Sequence, residues 1–391
     1  MPQPAFELAD IFRDYGERYR QTRRLTREQL RVMRAIEVCR TATLGGHVEK
    51  CSHCDHLRIA YNSCRNRHCP KCQNTERQRW LADRQSELLP VEYFHVVFTL
   101  PEPVARIALQ NRKTVCGILF QAASETLLTI ARAPKYLGAE IGFFAILHTW
   151  GQNLQHHPHI HCVIPGGGLS PDHERWISCR PGFFLPVRVL SRLFRRLFLE
   201  ALGKAFLKKK LRFFGELEYL KEPAAFQQYL APLQKAEWVV YAKPPFGGPQ
   251  QVLGYLGRYT HRTAISNRRI LNVENGQVTF QWKDYRHKDK QKSRVMTLDA
   301  DGFIRRILMH VQEPGFKRIR YCGWMASRHK KDKLALCRKL LTPARDLLPE
   351  PAADVPGQTQ PSPCPQCKTG TMIRLGFLPA YRWPARAPDS S

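Results

Sequence analysis

The spacing Cys51-x2-Cys54-x14-Cys69-x2-Cys72 constrains this chain more than any other feature. Each Cys-x2-Cys pair wraps a tight turn around one side of a metal, and two pairs supply the four thiolates of a tetrahedral zinc site. Four protein ligands leave no position for water, so the expected zinc on Cys51, Cys54, Cys69 and Cys72 is structural. Cys39, His47, Cys64 and His68 form two further pairs that alternate with the first two in chain order. They offer a second zinc in a cross-braced module; the other reading of His47 and His68 is that they brace ligands or touch a partner. Cys364-Pro-Gln-Cys367 is half a zinc ribbon with no second pair in the chain. Cys337 or a partner subunit would have to complete it, and an unmetallated turn is the other reading, so it stays outside the expected metal ligands.

The charge balance names a class of partner. The 391 residues hold 62 Lys+Arg against 33 Asp+Glu, a formal net charge of +29. A surplus of that size calls for a polyanion, and nucleic acid is the default. An apolar share of 43% excludes wholesale disorder. No apolar run reaches the roughly 18 residues of a membrane span, and the N-terminus lacks a signal-peptide apolar region. The expectation is a soluble, intracellular chain with reduced cysteines and no membrane partner. The loop around the cysteines is basic, which makes Arg65, Arg67 and Lys71 candidate DNA contacts, unless they are merely solvated.

Periodicity organises the rest. Residues 5–40 read as two helices, the second opened by the capping box Thr26-Arg-Glu-Gln29. Residues 41–75 read as loop held by metal, and a charged helix follows at about 75–89. Strands are expected at 93–100, 141–147, 159–164 and 238–242, with helices over most of 103–136 and 186–230 and at about 250–261. Asn275-Gly276 between two apolar runs signals a type I′ hairpin. Residues 301–345 read as basic and mostly helical, and the proline-rich remainder as a linker or tail.

His157-Pro-His-Ile-His161 carries the chemistry. Residues two apart on a strand share a face, so His159 and His161 aim together while Ile160 faces the core. Two imidazoles on a rigid strand make half of a metal site. Tyr255-Leu-Gly-Arg-Tyr259 puts two hydroxyls on one helix face. A tyrosine hydroxyl is a poor nucleophile unaided and needs an electrophile polarised for it. A divalent metal on the histidines can do this by binding a phosphate oxygen.

The combined set resembles the two-tyrosine, His-hydrophobe-His (HUH) single-strand endonucleases of rolling-circle replication and transposition, above all the insertion-sequence transposases of the IS91 type. The resemblance runs from Cys39-Arg-Thr through Asn62-Ser-Cys-Arg-Asn-Arg-His-Cys-Pro-Lys-Cys72, His95-Val-Val-Phe-Thr-Leu-Pro101 and His148-Thr-Trp-Gly-Gln152 to the tyrosine motif ending at Asn267. It implies that His159 and His161 bind Mg2+ or Mn2+, and that Tyr255 and Tyr259 attack DNA to leave a 5′-phosphotyrosine and a free 3′-OH. His148 is the expected third metal ligand, with Gln152 and His157 as runners-up; His95 has a buried structural role as its other reading. Arg258 and Arg262 beside the tyrosines join the DNA-contact candidates. The implied partner is single-stranded DNA at transposon ends and target, in a bacterial cytoplasm at the nucleoid.

The expected fold is α+β: a mainly antiparallel nuclease sheet flanked by helices, His159 and His161 on a central strand, and the tyrosine helix packed across that face. The expected domains are an N-terminal helical and zinc-binding module (1–89), a nuclease core (90–265) with a helical insertion at about 166–235 that grips phosphates, an accessory hairpin and basic region (266–345), and a tail (346–391). A replication initiator or relaxase shares the chemistry but not this zinc module. A zinc-dependent DNA-binding protein without nuclease activity explains the charge and cysteines but not the histidine and tyrosine motifs. Asp284, Asp289 and Asp299 give no three-carboxylate pattern for a transposase of the RNase-H-like class.

Overall fold

Strand alternation decides the centre of the molecule. The computed structural model describes residues 4–246, 251, 263–284, 293–341 and 362–381. Its five-stranded sheet has the order β12-β4-β5-β3-β8, where β3 is Tyr93–Thr99, β4 Gly142–Trp150, β5 His156–Pro165, β8 Val240–Phe246 and β12 Ile319–Gly323. Every neighbouring pair is antiparallel. This is the expected α+β architecture, with the two histidines on the middle strand.

The two faces of the sheet have different owners. Ile160 stands opposite Phe98 and Leu147, and with Cys162, Phe143 and Val96 it builds one fully buried face. Four helices cover that face: α4 (Glu102–Gln110), α5 (Arg112–Arg132), α6 (Val187–Leu207) and α7 (Pro223–Lys235). Helix α6 buries Leu190, Phe194, Phe198 and Leu202 at intervals of four residues, so the segment read as an insertion supplies core. The expectation of no membrane-length apolar run misses α5, which is long and apolar enough to cross a membrane; 61% of its most apolar window is buried inside the protein. The opposite sheet face carries the histidines at one end. At the other end Tyr93, Phe144, Ile146 and Val163 pack with Trp324, Met325 and Leu334.

Helices α1 (Leu8–Thr22) and α2 (Arg27–Glu37) form where the periodicity predicts, and Thr26 and Gln29 make the reciprocal capping box. Their apolar stripe packs on a second unit, the sheet β11-β10-β9 of Ser293–Asp299, Gln277–Lys283 and Ile270–Glu274, together with the helix Ala300–Leu308. Asn275 and Gly276 have φ of 51° and 73°, the two positive values that a type I′ turn demands.

Three sequence expectations are corrected. The 41–75 stretch contains a hairpin, β1 (Gly46–Cys51) and β2 (Leu57–Tyr61). The 301–345 stretch, read as basic and mostly helical within an accessory region at 266–345, supplies β12, an edge strand of the central sheet. The tail contains β13 (Met372–Leu378), which pairs antiparallel with β1, far back in sequence. Short strands with one exposed face carry weak periodicity, and long-range pairing leaves no local trace.

Candidate metal centres

The thiols gather in two groups, and neither is the expected one. Cys39, Cys64, Cys69 and Cys72 form the first; Cys51, Cys54, Cys364 and Cys367 form the second. The hairpin explains the regrouping. Cys51 ends β1 and Cys54 lies in the turn at the hairpin tip, while the chain leaving β2 returns to the base, where Asn62 and Arg40 share a backbone bond of 3.1 Å. A six-residue strand separates base from tip by roughly 17–20 Å, so the pair at the tip and the pair at 69–72 cannot share a metal. Cys69 and Cys72 close on Cys39 at the end of α2 and on Cys64 instead.

The two histidines expected in a second zinc site stand outside both thiol groups. His47 Nε2 lies 2.8 Å from the Glu49 carboxylate, which also takes Arg58. His68 is half-buried beside Arg67 and Arg318, and burial holds its imidazole down to about 3, so it is neutral.

The first thiol group fits zinc. Sγ of Cys72 lies 3.6 Å from that of Cys39 and 3.5 Å from that of Cys64. Zinc–sulfur bonds of about 2.3 Å set tetrahedral edges of about 3.8 Å. Cys72 receives S–H contacts from Cys39, Cys64 and Cys69 and is thereby held well below the usual thiol range, the thiolate that a soft cation takes up.

The third group is His148, His159 and His161. Register puts them together: His148 stands directly opposite His159, and His161 follows two residues along β5 on the same face. Ring centroids lie 5.5 Å apart for His148–His159, 4.6 Å for His148–His161 and 4.8 Å for His159–His161. Each ring has a fixed orientation. His159 Nδ1 meets the His157 carbonyl at 2.7 Å, His161 Nδ1 meets His95 Nε2 at 2.8 Å, and Trp150 stacks on His148 at 4.8 Å. With both Nδ1 atoms engaged, the nitrogen that His159 and His161 can offer to a metal is Nε2. Three converging imidazoles fit a divalent transition-metal ion.

The turn joining the two histidine strands is clamped from outside the sheet. Three successive carbonyls accept bonds from three side chains: Gln152 from Arg269, Asn153 from Arg306 at 2.9 Å, and Leu154 from His310 at 3.1 Å. All three donors come from the region that carries the second hairpin. No local motif marks them; their common feature is a cation or imidazole placed where a backbone carbonyl needs a donor.

The remaining candidates are placed as follows. Arg65 is exposed. Arg67 donates to the carbonyls of Phe316, at 2.8 Å, and Glu313 and is half-buried, which ties it to the fold rather than to an open surface. Lys71 pairs with Glu7. Gln152 and His157 contribute backbone carbonyls near the site and stand outside the histidine group. Tyr255, Arg258, Tyr259 and Arg262 lie outside the described residues.

Comparisons with known proteins bear on the whole chain. A family model described as "Putative transposase" matches residues 142–333, which hold the histidine strands, and one described as "Transposase zinc-binding domain" matches residues 11–100. "Putative transposase y4qJ" of Sinorhizobium fredii is 59% identical over 98% of both chains. The transposase for insertion sequence element IS801 of Pseudomonas savastanoi pv. phaseolicola is 26% identical over 74% of this chain and 68% of its own. No solved structure matches. Zinc here is structural, and the partner of a transposase is DNA. With a relative similar along nearly its whole length and both family models matched in order, the chain belongs to the IS91 family of transposases.

Proposed function

We propose that the protein cleaves and rejoins single DNA strands through covalent tyrosine intermediates, as a rolling-circle transposase. The observation that carries this reading is the convergence of His148, His159 and His161 on one face of the central strands. A Mn2+ or Mg2+ ion bound there would polarise the scissile phosphate and stabilise the departing 3′ oxygen.

The protein's own groups do the remainder. His95 and the His157 carbonyl hold the rings of His161 and His159, so the site does not reorganise when DNA arrives. Tyr255 or Tyr259 forms a new oxygen–phosphorus bond, the bond from phosphorus to the 3′ oxygen breaks, and the tyrosine proton leaves as the 3′ oxygen gains one. The product is a 5′-phosphotyrosine beside a free 3′-OH. The linkage retains the energy of the broken phosphodiester, so a 3′-OH can later reverse the step on a different strand without an external energy source. A second tyrosine four residues away permits a second cut while the first stays loaded.

The test is cleavage of end-labelled DNA carrying candidate element ends, offered single-stranded and as duplex, with Mn2+, Mg2+ or chelator. Metal-dependent nicking of the single strand, lost in His161→Ala, is the expected result. Tight metal-independent binding without nicking would instead favour a zinc-dependent DNA-binding protein.

A further inference from the structure

We infer that Cys51, Cys54, Cys364 and Cys367 hold a second structural zinc, a clasp that fastens the segment 362–381 onto the hairpin β1–β2. The inference is independent of the nuclease reading. The four ligand atoms lie within 4.8 Å of one another. Sγ of Cys51 is 3.7 Å from Cys367, and Sγ of Cys54 is 3.7 Å from Cys364. These separations match the edges of a tetrahedral zinc–sulfur site and are far beyond a disulfide.

Both halves have the form of a metal-binding knuckle. Backbone N–H groups two or three residues on point back at the sulfurs: His53 to Cys51 at 3.3 Å, Gln366 to Cys364 at 3.4 Å and Gly370 to Cys367 at 3.3 Å. Such bonds stabilise thiolate over thiol. The halves also fit each other. A Cβ at Gly370 would sit 2.5 Å from Cys51 Sγ, so a glycine stands where the two knuckles meet. Ser52 N–H donates to the Thr371 carbonyl at 3.0 Å, and β13 then pairs with β1 from Met372 to Leu378.

Packing alone does not account for this association. Among the described residues, the buried apolar ones in the cluster are Cys51, Cys364 and Met372. The strands leave Leu57 60%, Ile59 52% and Phe377 78% exposed. A three-stranded sheet without a core needs another source of stability, and a closed metal site is the usual one. The zinc-binding family model ends at residue 100, so it contains Cys51 and Cys54 and no partner pair for them other than those of the first cluster.

The experiment counts zinc on the full-length protein by native mass spectrometry and maps thiol protection by alkylation. Two cysteine-bound zinc ions per chain are expected, counted in His148→Ala/His161→Ala so that the three-histidine site adds none. One is expected when Cys364→Ser/Cys367→Ser is combined with these changes, with Cys39, Cys64, Cys69 and Cys72 still protected. One zinc before the cysteine replacement, or two retained after it, overturns the clasp. Should the cysteine variant fail to fold, the chain with intact cysteines decides alone. Protection of Cys51, Cys54, Cys364 and Cys367 that is lost as one set on chelation supports the clasp, and alkylation of Cys364 and Cys367 in zinc-loaded protein overturns it.

Discussion

His95 Nε2 lies 2.8 Å from His161 Nδ1, and the two rings stack with centroids 5.0 Å apart at an interplanar angle of 5°. For His161 to bind a metal through Nε2, its proton must sit on Nδ1, and His95 must accept it. His95 is 1% exposed on β3, so it cannot swing away. Loss of such an outer partner weakens metal binding by roughly 10–100-fold. We therefore expect His95→Leu to raise the Mn2+ dissociation constant by that factor in calorimetric titration, and His95→Gln, which keeps an acceptor, to recover part of it. Equal Mn2+ affinity in all three proteins would remove His95 from the account.

The donor set also ranks metals. Imidazole nitrogens suit transition ions, whereas Mg2+ prefers oxygen and gives up water reluctantly. Mn2+ should raise the melting temperature at micromolar concentration and Mg2+ only at far higher concentration, with neither effect in His148→Ala/His161→Ala. A stronger response to Mg2+ would mean that the ion is held by groups other than these histidines.

Buried His310 and half-buried His68 and His156 set a pH dependence. Burial holds His310 and His68 down to about 3 and His156 down to about 4. The unfolded chain takes up these protons near pH 6.5 while the folded one does not, so stability falls as pH drops below 6.5 and rises with pH across that window. Each group contributes up to about 1.4 kcal/mol per pH unit between its two values. The urea midpoint should decline steadily from pH 7 to pH 5, with a shallower slope in His310→Gln. A flat profile would show these rings to be solvated.

Two glycines predict opposite signs. Gly323 has φ +60° at the end of β12, and a Cβ there would strike the Ile141 carbonyl. Gly323→Ala should destabilise by about 2 kcal/mol or more. Gly117 lies inside α5 with nothing within 4 Å of a would-be Cβ. Gly117→Ala should stabilise by about 0.5–1 kcal/mol. Chemical denaturation of the two variants checks both.

What the sequence discloses follows the range of the interaction. The histidine strand, the capping box and the Asn275-Gly276 turn are legible because their signals lie within a few residues. The grouping of thiols is not. Proximity in sequence pairs Cys51/Cys54 with Cys69/Cys72, yet a hairpin of undistinguished composition separates them, and the partners of Cys54 and Cys51 lie 310 and 316 positions away. Arg269, Arg306 and His310 escape notice for the same reason, since a side chain that satisfies a distant carbonyl leaves no pattern. Arg67 shows the converse case: a basic loop suggests an anion-binding surface, and its guanidinium bonds the carbonyls of Glu313 and Phe316.

Tyrosine transfer supported by the three-histidine site is the proposed reaction. Its most direct test is an SDS gel of the protein incubated with 5′- and 3′-labelled single-stranded DNA carrying the element ends and Mn2+. The expected product is an SDS-resistant adduct that retains the label on the 3′ side of the cut. It should persist in at least one of Tyr255→Phe and Tyr259→Phe and disappear in the double variant and in His161→Ala. Nicking with no adduct, or an adduct that survives loss of both tyrosines, would contradict it.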